Sequence, residues 1–277
     1  MYRIGWFSTG RGQGSLNLLN AITAAINSGT VNAELAYVFC SRELGDAEGS
    51  DRYIQQVRQY GIPLICFSSK RFRPELRKEG KHKPELLARW RTEYDREIMS
   101  RIAPHRVDLI VLAGYMLIVS PEMCTRYTML NLHPAAPNGP AGTWQEVIWQ
   151  LIEQRATHSG NMMHLVIEEL DKGPPVTYST FRLRGGGFDP LWEELEAKLK
   201  QTTLENIIQQ EGEKNPLFAK IRQEGARREI PLVIHTVKAF ADGKIKIHNR
   251  QIITADGTVL REPYCLTDAI EQDIRDT

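Results

Sequence analysis

At 277 residues, with 42% hydrophobic and 25% charged side chains, the chain has the composition of a soluble globular protein able to bury a substantial core. A formal net charge of +1 gives no global electrostatic footprint for nucleic acid or a membrane surface, and no apolar run reaches the length of a membrane span. Cys40, Cys66, Cys124 and Cys265 stand far apart with no CxxC pair, so reduced thiols in a cytoplasm are expected, and no zinc site.

The opening MYRIGWFSTG reads as a strand, without the basic start and long apolar core of a leader peptide. After it come STGRGQGS and LNLLNAITAAINSG, a glycine loop and a helix that stops at Gly29. AELAYVFCS (33–41) is a second strand, SDRYIQQVRQYG a polar helix ending at Gly61, and IPLICFS a third, short strand. Residues 69–88, rich in Lys and Arg with Pro74 and Pro84, read as a solvated connection. PELLARWRTEYDREIMSRIAPH carries the spacing of a long amphipathic helix.

VDLIVLAGY (107–115) is a continuous apolar run, as expected of a strand buried on both faces of a parallel sheet. SPEMCTRY predicts a short helix with Ser120 as its N-cap. MLNLHPAAPNGPAG is a strand that ends in a proline-broken loop, and a helix follows over 143–155. HLVIEELDKGPPV (164–176) runs as a strand into an acidic turn. This alternation predicts an α/β fold with a Rossmann-like, doubly wound, mostly parallel sheet, whose ligands sit beyond the carboxyl ends of the strands.

From 182 the character changes. RLRGGGFDP is a glycine-rich break, and 190–229 is highly charged and helical. REIPLVIHTVKAFADGKIKI restores a helix before a short strand, and KIKIHNRQIITADGTVLREP predicts a C-terminal β-hairpin around Asn249 and Asp256-Gly257. The expected organisation is a core over 1–181, a charged helical insertion over 182–229, and a helix and hairpin over 230–277 completing the same domain.

Three groups of residues carry chemistry. A glycine loop opening a helix offers backbone N–H groups to an anion, which points to Gly12, Gly14 and Ser15 as a phosphate seat. Ser15 stands where a dinucleotide fingerprint wants its third glycine, and the second strand runs into Cys40-Ser41-Arg42 in place of a lone carboxylate. Arg42 meeting a 2′-phosphate keeps an NADP reductase as an alternative, and a tight turn without a ligand is another. Asn131 and His133, at i and i+2 of a strand, point the same way and can stabilise an oxyanion and supply a proton. Asp171 belongs to the same end of a parallel sheet, where a carboxylate can orient the imidazole. His158 and His164 lie nearby without metal-ligand spacing, and Trp144 and Trp149 read as packing residues.

NLHPA followed by HLVIEELDKGPPV resembles the NxHP…ELDxGP signature of the folate-dependent formyltransferases. RTEYDREI (91–98), LAGYMLIVSP (112–121), the GRGQGS loop and IPLVIHTVKAFADGKIKI (230–247) add to the likeness. The resemblance implies the formyltransferase fold and an Asn131/His133/Asp171 triad, with His133 acting protonated and Asp171 holding it. It implies 10-formyltetrahydrofolate as formyl donor, lying against Tyr115, Met116, Leu117, Ile118, Val119, Glu169 and Leu170, with Arg91 in the donor site. A phosphorylated amine, first of all glycinamide ribonucleotide of purine biosynthesis, would set its phosphate on Gly12, Gly14 and Ser15. The partners implied are these small molecules, without a metal, nucleic acid or membrane, and a homodimer is one option for assembly.

A sugar-nucleotide amine or water as acceptor, and a non-catalytic binding protein, are the other readings. Several departures from the family pattern bear on substrate identity. Ala135-Ala136-Pro137-Asn138 replaces SLLP, Leu117 stands at the folate-site Arg, and Ala226-Arg227 stands at a Glu-His pair. Whether Arg227 or Arg228 has taken over a substrate contact is left open by the sequence.

Overall fold

The computed structural model describes residues 1–276. In chain order the elements begin with β1 (Tyr2–Ser8), α1 (Gln13–Asn27), β2 (Ala33–Cys40), α2 (Glu48–Gln59) and β3 (Leu64–Cys66). Next come α3 (Pro74–Glu79), α4 (Pro84–Ile102), β4 (Leu109–Leu112), α5 (Pro121–Arg126), β5 (Met129–His133), α6 (Trp144–Glu153) and β6 (His158–Leu165). The last are β7 (Pro175–Arg182), α7 (Asp189–Leu199), α8 (Leu204–Glu211), α9 (Pro216–Ala241), β8 (Ile245–His248), β9 (Gln251–Thr254), β10 (Tyr264–Cys265) and α10 (Thr267–Arg275). The strand order is β10-β7-β6-β5-β4-β1-β2-β3, and β8 and β9 form a separate antiparallel pair. β1 pairs in parallel with both β2 and β4, β2 with β3, β4 with β5, and β10 with β7.

The chain divides into two compact units. The first comprises Met1–Asn131, His164–Pro174 and Val237–Val259. Its sheet has β1 between β2 and β4, the point at which the order of connections reverses and where open α/β sheets bind ligands. The core of this unit joins Phe7, Tyr37, Phe39, Ile110, Leu112 and Met129 of the strands to Trp90, Tyr94, Ile98 and Ile102 of α4. These four recur every fourth residue, the stripe that an α-helix turns to one side.

The supposed solvated connection is in part structured. Pro74 starts α3 at a position where the missing N–H costs nothing, and Phe72, Leu76 and Leu87 pack against the core between exposed cations. α1 also starts earlier than its apolar stretch, at Gln13 with Gly12 as N-cap.

The second unit comprises Leu132–Met163, Pro175–Thr236 and the described residues from Leu260 onward. Its core joins Val147, Ile148, Leu151 and Ile152 of α6 to Phe181, Leu183, Trp192, Leu195, Leu217, Phe218 and Ile221. Thr143 caps α6 reciprocally with Glu146, and Trp144 and Trp149 both lie against the Phe218 ring, so both tryptophans are packing residues. The charged stretch after 182 is helical, as its composition indicates, and is split into α7, α8 and the start of α9. The β8–β9 hairpin turns through Asn249 and Arg250, both with positive φ (49° and 61°), the twist of a two-residue hairpin turn. No helix among the described residues is long and apolar enough to cross a membrane.

Candidate active site

β5 ends on His133, where Pro134 contributes no backbone donor to continue a ladder. Asn131 of this strand, His164 near the end of β6 and Asp171 from the following loop all belong to the first unit. Asn131 Nδ2 lies 3.2 Å from His164 Nε2, and Asp171 Oδ1 lies 3.6 Å from the same nitrogen. His164 Nδ1 lies 3.1 Å from the Leu165 carbonyl oxygen. A carbonyl only accepts, so this contact places a proton on Nδ1 and leaves Nε2 to respond to the other two groups. Neutral His164 accepts at Nε2 from the Asn131 amide; protonated, it donates toward Asp171. The ring is 2% exposed, so both states are sheltered from water.

Gly173 makes this arrangement possible. A Cβ there would stand 1.6 Å from the Leu165 oxygen and 3.4 Å from His164 Nδ1, so only a residue without a side chain lets the loop close over the carbonyl. Leu165 N donates to Pro174 O at 3.0 Å on the other side of the same turn. Asp171 holds a left-handed φ of 55°, an uncommon conformation for a non-glycine residue that is often found at functional positions. Arg250, at the tip of the β8–β9 hairpin, grips Glu168 with two hydrogen bonds of 3.0 and 3.3 Å. That grip holds the Glu168 carboxyl below its ordinary pKa.

His133 is buried, 4% exposed, with Nε2 3.4 Å from the Pro140 carbonyl oxygen. His164 is set beside both Asn131 and Asp171, and the sequence showed it only as a nearby histidine. Its signal was present: a polar residue one position before the end of an apolar strand, next in the sheet to the strand that bears Asn131.

Gly12 caps α1 without a side-chain hydrogen bond, Gly14 and Ser15 lie in the helix's first turn, and a Cβ added at Gly12 or Gly14 would meet nothing within 4 Å. Ser15 is buried, and its Oγ would stand 2.3 Å from a Cβ on Gly114, so its hydroxyl faces the loop after β4.

The stretch after β4 splits by direction. Tyr115 packs edge-on against Phe7 and Phe39, and Val119 is buried with it in the core. Met116 is 60% exposed, and Leu117 and Ile118 are half-buried. Leu170 is 58% exposed beside exposed Glu169, and Arg91 is half-buried on α4. One turn past Arg91, Asp95 is buried and accepts the N–H of Ser120, the N-cap residue of α5. Burial pushes its carboxyl up to about 6.

A family model described as formyl transferase matches residues 10–184. The chain belongs to the formyl transferase family. This formyltransferase is 30% identical over 230 residues to phosphoribosylglycinamide formyltransferase of Haemophilus influenzae, spanning 82% of this chain and 89% of that one. It is 27% identical over 233 residues to the Escherichia coli protein of the same name, spanning 83% and 84%. Among solved structures, phosphoribosylglycinamide formyltransferase of Coxiella burnetii has the same fold at a TM-score of 0.63 and 20% identity, over 95% of this chain and 98% of that chain. A formyltetrahydrofolate deformylase of Pseudomonas syringae follows the same fold at 0.58 and 18% identity, over 91% and 65%.

In the formyltransferase, Arg228 is buried and bound to Glu224 and Glu271 at 2.8 and 2.7 Å, while Arg227 donates to the Ile274 carbonyl. Arg228 is therefore held in place on α9 by two carboxylates.

Proposed function

We propose that this enzyme transfers the formyl group of 10-formyltetrahydrofolate to the amine of glycinamide ribonucleotide. The observation that carries the reading is the Asn131–His164–Asp171 cluster, an amide, an imidazole and a carboxylate joined around one nitrogen. The acceptor is inferred from the relatives' shared name. The amine lone pair attacks the formyl carbon, a C–N bond forms, and the carbonyl electron pair moves onto oxygen. Asn131 and His133 donate to that oxyanion, the interaction that grows most in the transition state. Asp171, with His164 beside it, takes the proton that the attacking amine must lose. The bond from the formyl carbon to the folate nitrogen then breaks, and that nitrogen keeps the electron pair and is protonated.

In this proposal the donor covers Met116 and Leu170, whose exposure is costly for large apolar side chains, and runs along Leu117 and Ile118 with Arg91 and Glu169 at its margins. Tyr115 and Val119 support that surface from within the core. The acceptor's phosphate meets the α1 N-terminus at Gly12, Gly14 and Ser15. The reaction needs no metal, and on this reading the protein works on small molecules in a cytoplasm, with a homodimer as one assembly.

The test is an assay of tetrahydrofolate release from 10-formyltetrahydrofolate against a panel of amines. Release that depends on glycinamide ribonucleotide is the expected result. Release with no amine present would make water the acceptor. Tight NADPH binding with no response to folates would overturn formyl transfer altogether.

A further inference from the structure

A second group of polar residues in the first unit is not used by this chemistry. Thr9, Arg11, Arg42, Ala47, Ser50, Lys70 and Met116 line a cavity of about 270 Å³ beyond the carboxyl ends of β1 and β2. Gly12, Gly14 and Ser15 do not line it. Three of its lining residues are cations and none is a carboxylate. The nearby acids are already engaged, because Glu43 and Asp46 both pair with Arg71. Among the described residues, Arg11, Arg42 and Lys70 form no ion pair, and Lys70 Nζ donates only to the Asp46 carbonyl oxygen.

The floor of the cavity is built of donors. Thr9 is 1% exposed, and its Oγ1 already accepts from Met116 N at 2.9 Å and from Ser41 Oγ at 3.1 Å. With both acceptor positions filled, the Thr9 hydroxyl has its own proton left to give. Arg42 spends one nitrogen, Nη1, on the Ser41 carbonyl and the Ser69 hydroxyl, which leaves the rest of its guanidinium fork for a ligand. Arg77 donates to the carbonyl of the same Ser69, so two guanidiniums converge on one serine. Burial and then the charge of Arg42 lower the Arg77 guanidinium, as expected where positive charge gathers uncompensated.

We propose that this cavity binds a phosphate monoester, with Arg42, Lys70 and Arg11 neutralising the dianion and Thr9 donating a hydrogen bond. A guanidinium fork, an ammonium and a hydroxyl proton match the tetrahedral oxygens of phosphate, and the absence of lining carboxylates disfavours a cation. The volume exceeds that of one phosphate group and falls just short of the usual range for drug-sized ligands, roughly 300 Å³ upward. A phosphorylated fragment fits it, with Ala47 as an apolar flank and Met116 shared with the proposed donor surface. The inference does not depend on the formyl-transfer reading, since its test measures binding.

Inorganic phosphate is titrated into the protein at constant ionic strength and followed by calorimetry. Saturable binding is expected, and Arg42→Gln and Lys70→Met should each weaken it about tenfold or more, the worth of a charge-assisted hydrogen bond. Lys70 and Arg11 are exposed, so Lys70→Met and Arg11→Gln report on binding even if Arg42→Gln disturbs the Ser69 contact. Competition with the phosphorylated amine in the transfer assay that Lys70→Met weakens identifies the acceptor as the occupant and moves its phosphate from the α1 N-terminus to this cavity. Phosphate that binds without competing identifies a separate phosphorylated ligand, and both results uphold the site. Absence of saturable binding overturns it, as does unchanged affinity in Lys70→Met and Arg11→Gln together, which would place the ion elsewhere.

Discussion

Replacing Gly173 with alanine adds a single methyl group at the place where the structure has least room. The new Cβ would stand 1.6 Å from the Leu165 oxygen, whereas non-bonded atoms of this kind stay beyond 3.0 Å. Something must therefore retreat by well over an ångström, and the nearest atom is backbone, which cannot swing aside like a side-chain tip. Overpacking costs about 1–3 kcal/mol, and losing the hydrogen bond accepted by this carbonyl adds about 1 kcal/mol. For a chain of this length each kcal/mol lowers Tm by roughly 2 °C, so a loss of about 4–8 °C is expected by calorimetry. The effect on turnover should be larger in proportion. His164 Nδ1 is held by the displaced oxygen, and a misplacement of about 1 Å can cost roughly a hundredfold in rate. Wild-type turnover and Tm in Gly173→Ala would refute the role given to Gly173 and the tautomer assigned to His164.

Asp171→Asn and His133→Ala should each lower formyl-transfer turnover by about 100- to 10,000-fold with an unchanged circular dichroism spectrum, and near-normal rates in either would remove that residue from the mechanism. Asp95 has a folded-state pKa of about 6, raised by burial above the ordinary carboxylate value. An acid whose pKa rises on folding contributes stability that is complete below its unfolded pKa and is lost as pH climbs through the folded value. Asp95→Asn, which can still accept from Ser120 N, should therefore flatten the decline in stability between pH 4 and pH 6, by up to about 2–3 kcal/mol, as measured by urea unfolding at several pH values. A slope identical to wild type would show that Asp95 is not the group responsible. Arg250→Ala removes an exposed pair with Glu168 and should leave Tm within about 1–2 °C, while raising KM for the folate donor more than it lowers kcat. A change in kcat alone would mean that the hairpin acts on the chemistry.

The parts of the fold legible in the sequence are those where apolar spacing alone decides. β4 and β5 are short apolar runs bounded by Gly114 and Pro134, and α4 shows Trp90, Tyr94, Ile98 and Ile102 at helical spacing. α3 was hidden because, after Pro74, its one apolar side chain, Leu76, sits among charged residues. β7 follows Pro174, begins on Pro175 and carries Thr and Ser at buried positions, and the polar helix α10 has Ile270 as its only fully buried residue. Among the candidate site residues, Asn131 and His133 were legible as polar residues closing a strand, and Asp171 as a carboxylate in the turn after an apolar run. The place of His164 was not, because it depends on β6 lying beside β5 and on Gly173 letting a carbonyl approach from the far side of a turn. Neither fact has a one-dimensional signature.

The Thr9 hydroxyl has a consequence for how this molecule yields to strain. It joins the ends of three strands, since Thr9 follows β1, Ser41 follows β2 and Met116 follows β4. The Thr9 amide donates to Gly114, Ser41 N to Ser8 O, and Gly10 N to the Ser8 hydroxyl. Loops at the rim of a sheet ordinarily open long before the core does, and hydrogen exchange reveals them as the first amides to go. Here the rim amides are bonded across strands or to buried hydroxyls, so they should exchange only when the sheet itself comes apart.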